Sequence, residues 1–194
     1  LRGLGSAAKA VACDSADVGD TVALTRRLHD GLHGVLHAAG VLRDKMVAST
    51  TADDAMISAA PKAGGAAHLH LVLTAAPLSA FGLFSSVAAA LGSVGQANYA
   101  AANAYLDSYA AGRRLVGGGG SCLQIPAVGG AGMGALTFAS AALDSVGGIS
   151  LELFATCLWH LLQYVRAAAE AVLAPLTAVV VKMLEGAPLA SEVH

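Results

Sequence analysis

Apolar and polar positions along this chain fall into two alternating registers. Short apolar runs at residues 8–13 (AKAVAC), 35–36, 81–84 (FGLF), 122–128 and 177–182 (TAVVVK) stop at small or polar residues, the pattern of strands buried on both faces. Between them lie stretches whose apolar positions recur three and four residues apart. These predict helices over 21–29, 52–73 and 96–115, and two more around 150–171. In the third of them Tyr99, Asn103, Leu106 and Tyr109 fall at helical intervals. Residues 1–6 read as the tail of a helix ending at Gly3 or Gly5. Pro61 must kink the 52–73 helix or restart it as a first-turn proline. The glycines 117–120 stop the 96–115 helix, and a glycine-rich loop occupies 129–134. Strands alternating with helices in this way form βαβ units. The expected fold is therefore α/β, a doubly wound parallel sheet with helices on both faces. Ligands bind such sheets beyond the carboxyl ends of the strands. Here those ends are Asp14, the turn from His37 to Gly40, Ser85 with Ser86, and the loop after Val128.

Composition narrows the classes of function. The 194 residues are 56% hydrophobic and 12% charged, with a net charge of −2. A disordered chain shows the reverse balance, and a nucleic-acid binder a basic excess or stripe, so neither is expected. The most apolar stretch, 151–183, is interrupted by Glu152, His160, Gln163, Arg166, Glu170 and Pro175, which predicts no membrane span. No basic segment followed by an apolar core opens the chain, so no secretory signal and a cytoplasmic location are expected. Cys13, Cys122 and Cys157 are odd in number and widely spaced, and read as small hydrophobes in a reducing compartment. The histidines tempt a metal reading. His33 and His37 are four apart, but the second falls on a predicted strand, and no cysteine or carboxylate pair completes a ligand set, so no metal is expected. Residues 130–135 (GAGMGA) match the dinucleotide fingerprint by letter, yet they follow a late strand and read as a flexible lid. Trp159 and Tyr164 read as core packing rather than as partner anchors.

The strand ends carry the chemistry. Tyr99 and Asn103, four apart on one helix, share a face. Lys62 lies early in the second half of the preceding helix, and Ser86 stands where a buried strand emerges. If the helices stack on the sheet, a phenol, an ammonium, an amide and a hydroxyl can meet above the strand ends. A phenol, with an ordinary pKa of about 10, holds its proton at neutral pH and gives it up reluctantly. A neighbouring ammonium stabilises the phenolate and makes the phenol a better acid. A serine hydroxyl can fix the same substrate oxygen, and an amide can hold the water or backbone group that resupplies the proton. Such a set suits reduction of a carbonyl whose carbon receives hydride from a nicotinamide.

These residues resemble a known family. Residues 84–88 (FSSVA) and 95–103 (GQANYAAAN) resemble the ketoreductase domain of type I polyketide synthases, a relative of the short-chain dehydrogenases/reductases with a Rossmann-like fold. Residues 13–17 (CDSAD), 35–42 (VLHAAGVL) and 60–66 (APKAGGA) extend the likeness in the same order. It covers residues 8–135 as its core, with 136–194 as C-terminal helices and a last strand of one partial domain. The resemblance implies Tyr99 as general acid, Ser86 as the carbonyl-orienting hydroxyl, Lys62 as the activating ammonium and Asn103 as fourth member. In this subfamily the Lys and Asn positions are exchanged relative to the Tyr-x-x-x-Lys of the wider superfamily. It further implies that Asp14 contacts the cofactor's adenine and that Ala38, Ala39 and Gly40 form the turn along which the nucleotide lies. Asp44 matches the marker for a hydroxyl of D configuration, although Arg43 replaces the marker's preceding acid. The implied reaction is NADPH-dependent reduction of a β-ketoacyl thioester carried by an acyl carrier protein, among neighbouring polyketide synthase domains.

Two features depart from the family pattern. The strand, glycine-rich turn and helix that cradle a pyrophosphate are expected before Asp14 and do not occur there, so the domain reads as N-terminally truncated. Ile125 and Pro126 stand where relatives carry Trp-Gly ahead of the lid. The rival readings are a catalytically incompetent structural or docking segment of a megasynthase, and a free-standing short-chain dehydrogenase. The exchange of Lys and Asn speaks against the second.

Overall fold

A computed structural model describes residues 7–28, 31–130, 147–164 and 172–173. Four parallel strands form one sheet in chain order: β1 (Gly34–His37), β2 (Ala80–Ser86), β3 (Ser121–Ile125) and β4 (Val172–Leu173). The register pairs Leu36 with Gly82, Leu83 with Cys122 and Leu123 with Leu173. This is the parallel α/β sheet expected from the pattern. β2 lies between two strands, and its sequence AFGLFSS is apolar from Ala80 to Phe84, where both of its faces are covered, before ending in Ser85 and Ser86.

Successive side chains of a strand point to opposite faces, and the two faces have different partners. On one, Phe81, Leu83 and Cys122 pack with Ala66, Leu106 and Ala110, contributed by α3 (Gly65–Val72) and α5 (Ala97–Leu115). On the other, Leu123 meets Cys157 and Leu161 of α6 (Leu151–Tyr164), while the Phe84 and Phe154 rings meet edge to face at 5.9 Å. Fully burying a Leu or Phe side chain stabilises the fold by roughly 1.5–3 kcal/mol, so these two layers anchor the strand ends. α1 (Val18–Leu28) packs against α3, with Thr21 and Thr25 turned inward. The short helix α4 (Ala88–Leu91) leads from β2 toward α5.

The helix predicted over 52–73 is three pieces. α2 (Ala52–Ala59) starts at a capping box, in which the Thr51 side chain accepts the Asp54 N–H and the Asp54 carboxylate accepts the Thr51 N–H. A π turn follows at Ala60–Gly64, and then α3 begins. Pro61 is the cause: it has no N–H for the carbonyl one turn back, and its ring crowds that carbonyl, so the ladder opens and takes in an extra residue.

Several expectations are revised. Residues 8–13 form no strand: they are exposed or half-exposed and join no ladder among the described residues, and a strand exists only in a ladder. β3 ends at Ile125 rather than running to Val128, because Pro126 offers no N–H; Val128 only returns as a lone parallel bridge to Ile149. Trp159 is 63% exposed on α6, so it is not core packing. Cys122 and Cys157 are buried and Cys13 half-buried, all as free thiols. The helix tail at 1–6, the 177–182 strand, the glycine loop beyond Gly130 and the second helix beyond Tyr164 lie outside the described residues.

Candidate active site

At the carboxyl ends of β1 and β2, elements far apart in sequence converge. The π turn rolls Lys62 toward the sheet, where it is only 3% exposed. Its ammonium donates to the Phe84 carbonyl of β2 at 2.9 Å and sits 5.5 Å from the centre of the Tyr99 ring on α5. Burial lowers the Lys62 pKa to about 8, against the field of Cys122 and Asp107, which raises it. The group is thus mainly cationic at neutral pH and poised to lose its proton just above it.

Asn103 follows Tyr99 by one turn and is fully buried. Its Nδ2 donates to the Tyr99 carbonyl at 2.8 Å, and its backbone carbonyl accepts the Ser85 hydroxyl at 3.2 Å. Asn103 Oδ1 and Asp107 Oδ1, one further turn along, are buried acceptors without a protein partner among the described residues. Behind them the Gln124 amide donates to Asp107 Oδ2 at 2.9 Å, and burial pushes the Cys122 thiol well above its ordinary range. Cys122 is an inert wall here, since the reactive form of cysteine is the thiolate.

Ser86 ends β2 and is 8% exposed; its Oγ accepts the Ala88 N–H at 3.2 Å, which fixes the turn into α4. The structure therefore brings Lys62, Tyr99 and Asn103 together and holds Ser86 at the end of the strand that Lys62 grips. His37 closes β1, is 4% exposed, and donates through Nε2 to the Lys62 carbonyl at 3.2 Å. Burial pushes its pKa below the ordinary range; the bond to the Lys62 carbonyl works against this and the nearby Lys62 charge adds to it. His37 is thus a brace for the turn that carries Lys62.

The small residues after β1 lie at this same rim, with Ala38 exposed and Ala39 and Gly40 half-buried. Asp14 is exposed, and its Oδ1 accepts the Ala16 N–H at 2.9 Å. Its neighbour Ser15 comes close to His37, since both crowd the same face of Gly65. Asp44 accepts from Gln96 Nε2 at 2.8 Å, which ties the loop after β1 to the start of α5.

The sequence reading missed the residues that join these parts. Asp54 is one: it accepts from Lys45 Nζ at 2.7 Å and from the Thr51 hydroxyl at 2.7 Å, and these partners hold its carboxyl well below the usual range. Asn98 and Gln96 complete the set. The Thr51 to Asp54 spacing is a legible helix-start signature, but Asn98 and Gln96 are polar residues beside a phenol, with no periodicity to mark them.

A buried ammonium and a phenol as donors, and an amide oxygen without a partner among the described residues as acceptor, beside a turn of small residues, match the hydroxyls and phosphates of a nucleotide cofactor. The family profile described as "KR domain" matches residues 1–130. Polyketide synthase GfsA of Streptomyces halstedii is 49% identical over 120 residues, which take in 60% of this chain and 2% of that protein. Mycoketide-CoA synthase of Mycobacterium tuberculosis is 43% identical over 122 residues, 60% of this chain and 3% of that protein. The chain thus spans only a few per cent of the length of these curated relatives. Among solved structures, an A1-type ketoreductase superposes with a TM-score of 0.76 at 34% identity, covering 88% of this chain and 36% of that one.

Proposed function

The chain belongs to the KR domain family, and from that premise we propose that it supplies the proton-donating part of an NADPH-dependent ketoreductase. The substrate is a β-ketoacyl thioester presented by an acyl carrier protein, and the product is the β-hydroxyacyl thioester. The observation that carries this reading is the buried Lys62 ammonium beneath the Tyr99 ring at the mouth of the sheet. The cofactor, when bound, supplies hydride to the carbonyl carbon. Tyr99 donates its proton to the carbonyl oxygen, Ser86 orients that oxygen, and Lys62 stabilises the phenolate left behind. Asn103, one turn along, whose side-chain Oδ1 has no protein partner among the described residues, steadies the group that returns the proton. Asp14 and the Ala38, Ala39 and Gly40 turn hold the nucleotide, and Asp44 faces the substrate side.

The test is reduction of a soluble β-ketoacyl thioester by the full-length protein that carries this chain, followed by NADPH oxidation. Tyr99→Phe is expected to lower kcat by a factor of about 10² or more, the scale of a lost general acid, while NADPH binding persists. Turnover equal to that of the unaltered protein overturns the assignment.

A further inference from the structure

The residue beside the phenol, Asn98, makes more cross-element contacts than any role given above requires. Its Oδ1 accepts the Tyr99 N–H at 2.8 Å, the backbone group that α5 must satisfy because Gln96 supplies no side-chain cap. That bond settles which amide atom is oxygen, so Nδ2 faces the other way. Nδ2 donates to the Arg43 carbonyl at 2.9 Å and to the Ser58 hydroxyl at 3.1 Å, with the Asp54 carbonyl at 3.5 Å as an outer partner. Ser58 is fully buried on α2, one turn before Lys62. Arg43 precedes Asp44 in the loop after β1.

We propose that Asn98 is a positioning residue that pins the Arg43, Asp44 and Lys45 loop, the substrate-side wall, to the elements carrying Tyr99 and Lys62. Three walls of the site meet at one amide. The loop has further ties: Asp44 accepts from Gln96 Nε2 at 2.8 Å, Lys45 N–H donates to the Gly95 carbonyl just before α5 at 2.8 Å, and Lys45 Nζ pairs with Asp54 of α2 at 2.7 Å. Each of these joins the loop to one element, whereas among the described residues Asn98 is the side chain that joins it to both α2 and α5 at once. The amide is needed for its two opposite abilities. The oxygen must accept from Tyr99, and the nitrogen must donate to the Arg43 carbonyl, which has no proton to offer; a carboxylate of the same shape could still accept from the Ser58 hydroxyl but not hold that carbonyl.

The proposal rests on the reductase reading for its catalytic consequence and on geometry alone for its structural one, so the experiment has two arms. In the first, Asn98→Asp and Asn98→Ala are digested with trypsin under native conditions, and cleavage after Arg43 and Lys45 is followed by mass spectrometry. Both variants are expected to be cut there at least about tenfold faster than the unaltered protein, with cleavage after Arg26 unchanged, because a freed loop opens locally. In the second arm, Asn98→Asp keeps the bond to Tyr99 N–H and is expected to raise KM for the ketoacyl thioester about tenfold with kcat within about threefold. Asn98→Ala loses both sides and is expected to lower kcat as well. Loop cleavage and KM unchanged in Asn98→Asp overturn the proposal. If the unaltered protein reduces no β-ketoacyl thioester, the reductase reading fails while the digestion arm still decides the pin. Should both Asn98 variants fail to fold, Ser58→Ala decides it, with cleavage equal to that of the unaltered protein as the overturning result.

Discussion

Replacing Lys62 with methionine separates what this side chain does for the reaction from what it costs the fold. In the folded chain its pKa lies at about 8 instead of 10.5, with burial as the largest cause. A displacement of that size corresponds to about 3 kcal/mol, at about 1.4 kcal/mol per pH unit. Below pH 8 both states carry the proton, and the folded state bears the whole penalty of a desolvated ammonium. Between pH 8 and 10.5 the folded chain has released the proton and the unfolded chain has not, so stability rises with pH across that window. Lys62→Met has no such proton to release. At pH 7 the variant is therefore expected to be as stable as the unaltered chain or more so, by up to about 3 kcal/mol, since replacing a buried charge by a well-packed apolar chain is often stabilising. The gap should close by about 3 kcal/mol as the pH is raised from 8 to 10.5. Urea unfolding of both chains, followed by far-ultraviolet circular dichroism at pH 7, 8, 9 and 10, reads the difference directly. Comparing the two cancels the titration of other groups. A stability difference that stays constant over this range would refute the claim that the ammonium is desolvated. Meanwhile the variant should lose reductase activity, because the phenolate is left without its cation.

The same pKa shapes the rate. Reduction needs the cationic Lys62, so kcat is expected to fall as pH rises through about 8, and a profile still level at pH 9.5 would contradict this. Gly65→Ala would place a Cβ 2.7 Å from His37 Cε1 and 2.8 Å from Ser15 Oγ, so it should destabilise the fold by about 1–3 kcal/mol, read as a lower urea midpoint. Asp54 is the opposite case to Lys62. Its carboxyl is held well below the usual range by Lys45 and Thr51, so its contribution is complete above about pH 4 and declines as the pH falls below that value. Asp54→Asn should therefore lower stability at pH 7 and flatten the acid limb of a stability curve measured from pH 5 to 2.

Much of this was legible in the residues. The alternation of apolar runs and helical stretches is a local property, and a strand covered on both faces, such as β2, shows itself by the apolar run Ala80–Phe84. The one-turn spacing of Tyr99 and Asn103 likewise needs only the helical period. Residues 8–13 show the limit of such reading: the same apolarity appears there, and no ladder among the described residues takes it up. Trp159 shows another, since a large aromatic ring is more often covered than not, and only the packing of α6 leaves this one outward.

The sequence alone determined the alternation of strands and helices from residue 18 to 125, the family likeness and the kinds of groups in the site, because those follow from local periodicity and motif. What only the tertiary structure decided is where those groups stand. Pro61 said that the helix must break there, but not that a π turn would carry Lys62 under the Tyr99 ring and into a setting that halves its hold on a proton near pH 8. Nor could residue type show that Asn98, next in line to the phenol, joins Arg43 to Ser58. Such contacts link positions tens of residues apart, and their geometry and dielectric setting exist only once the sheet has gathered its helices around them.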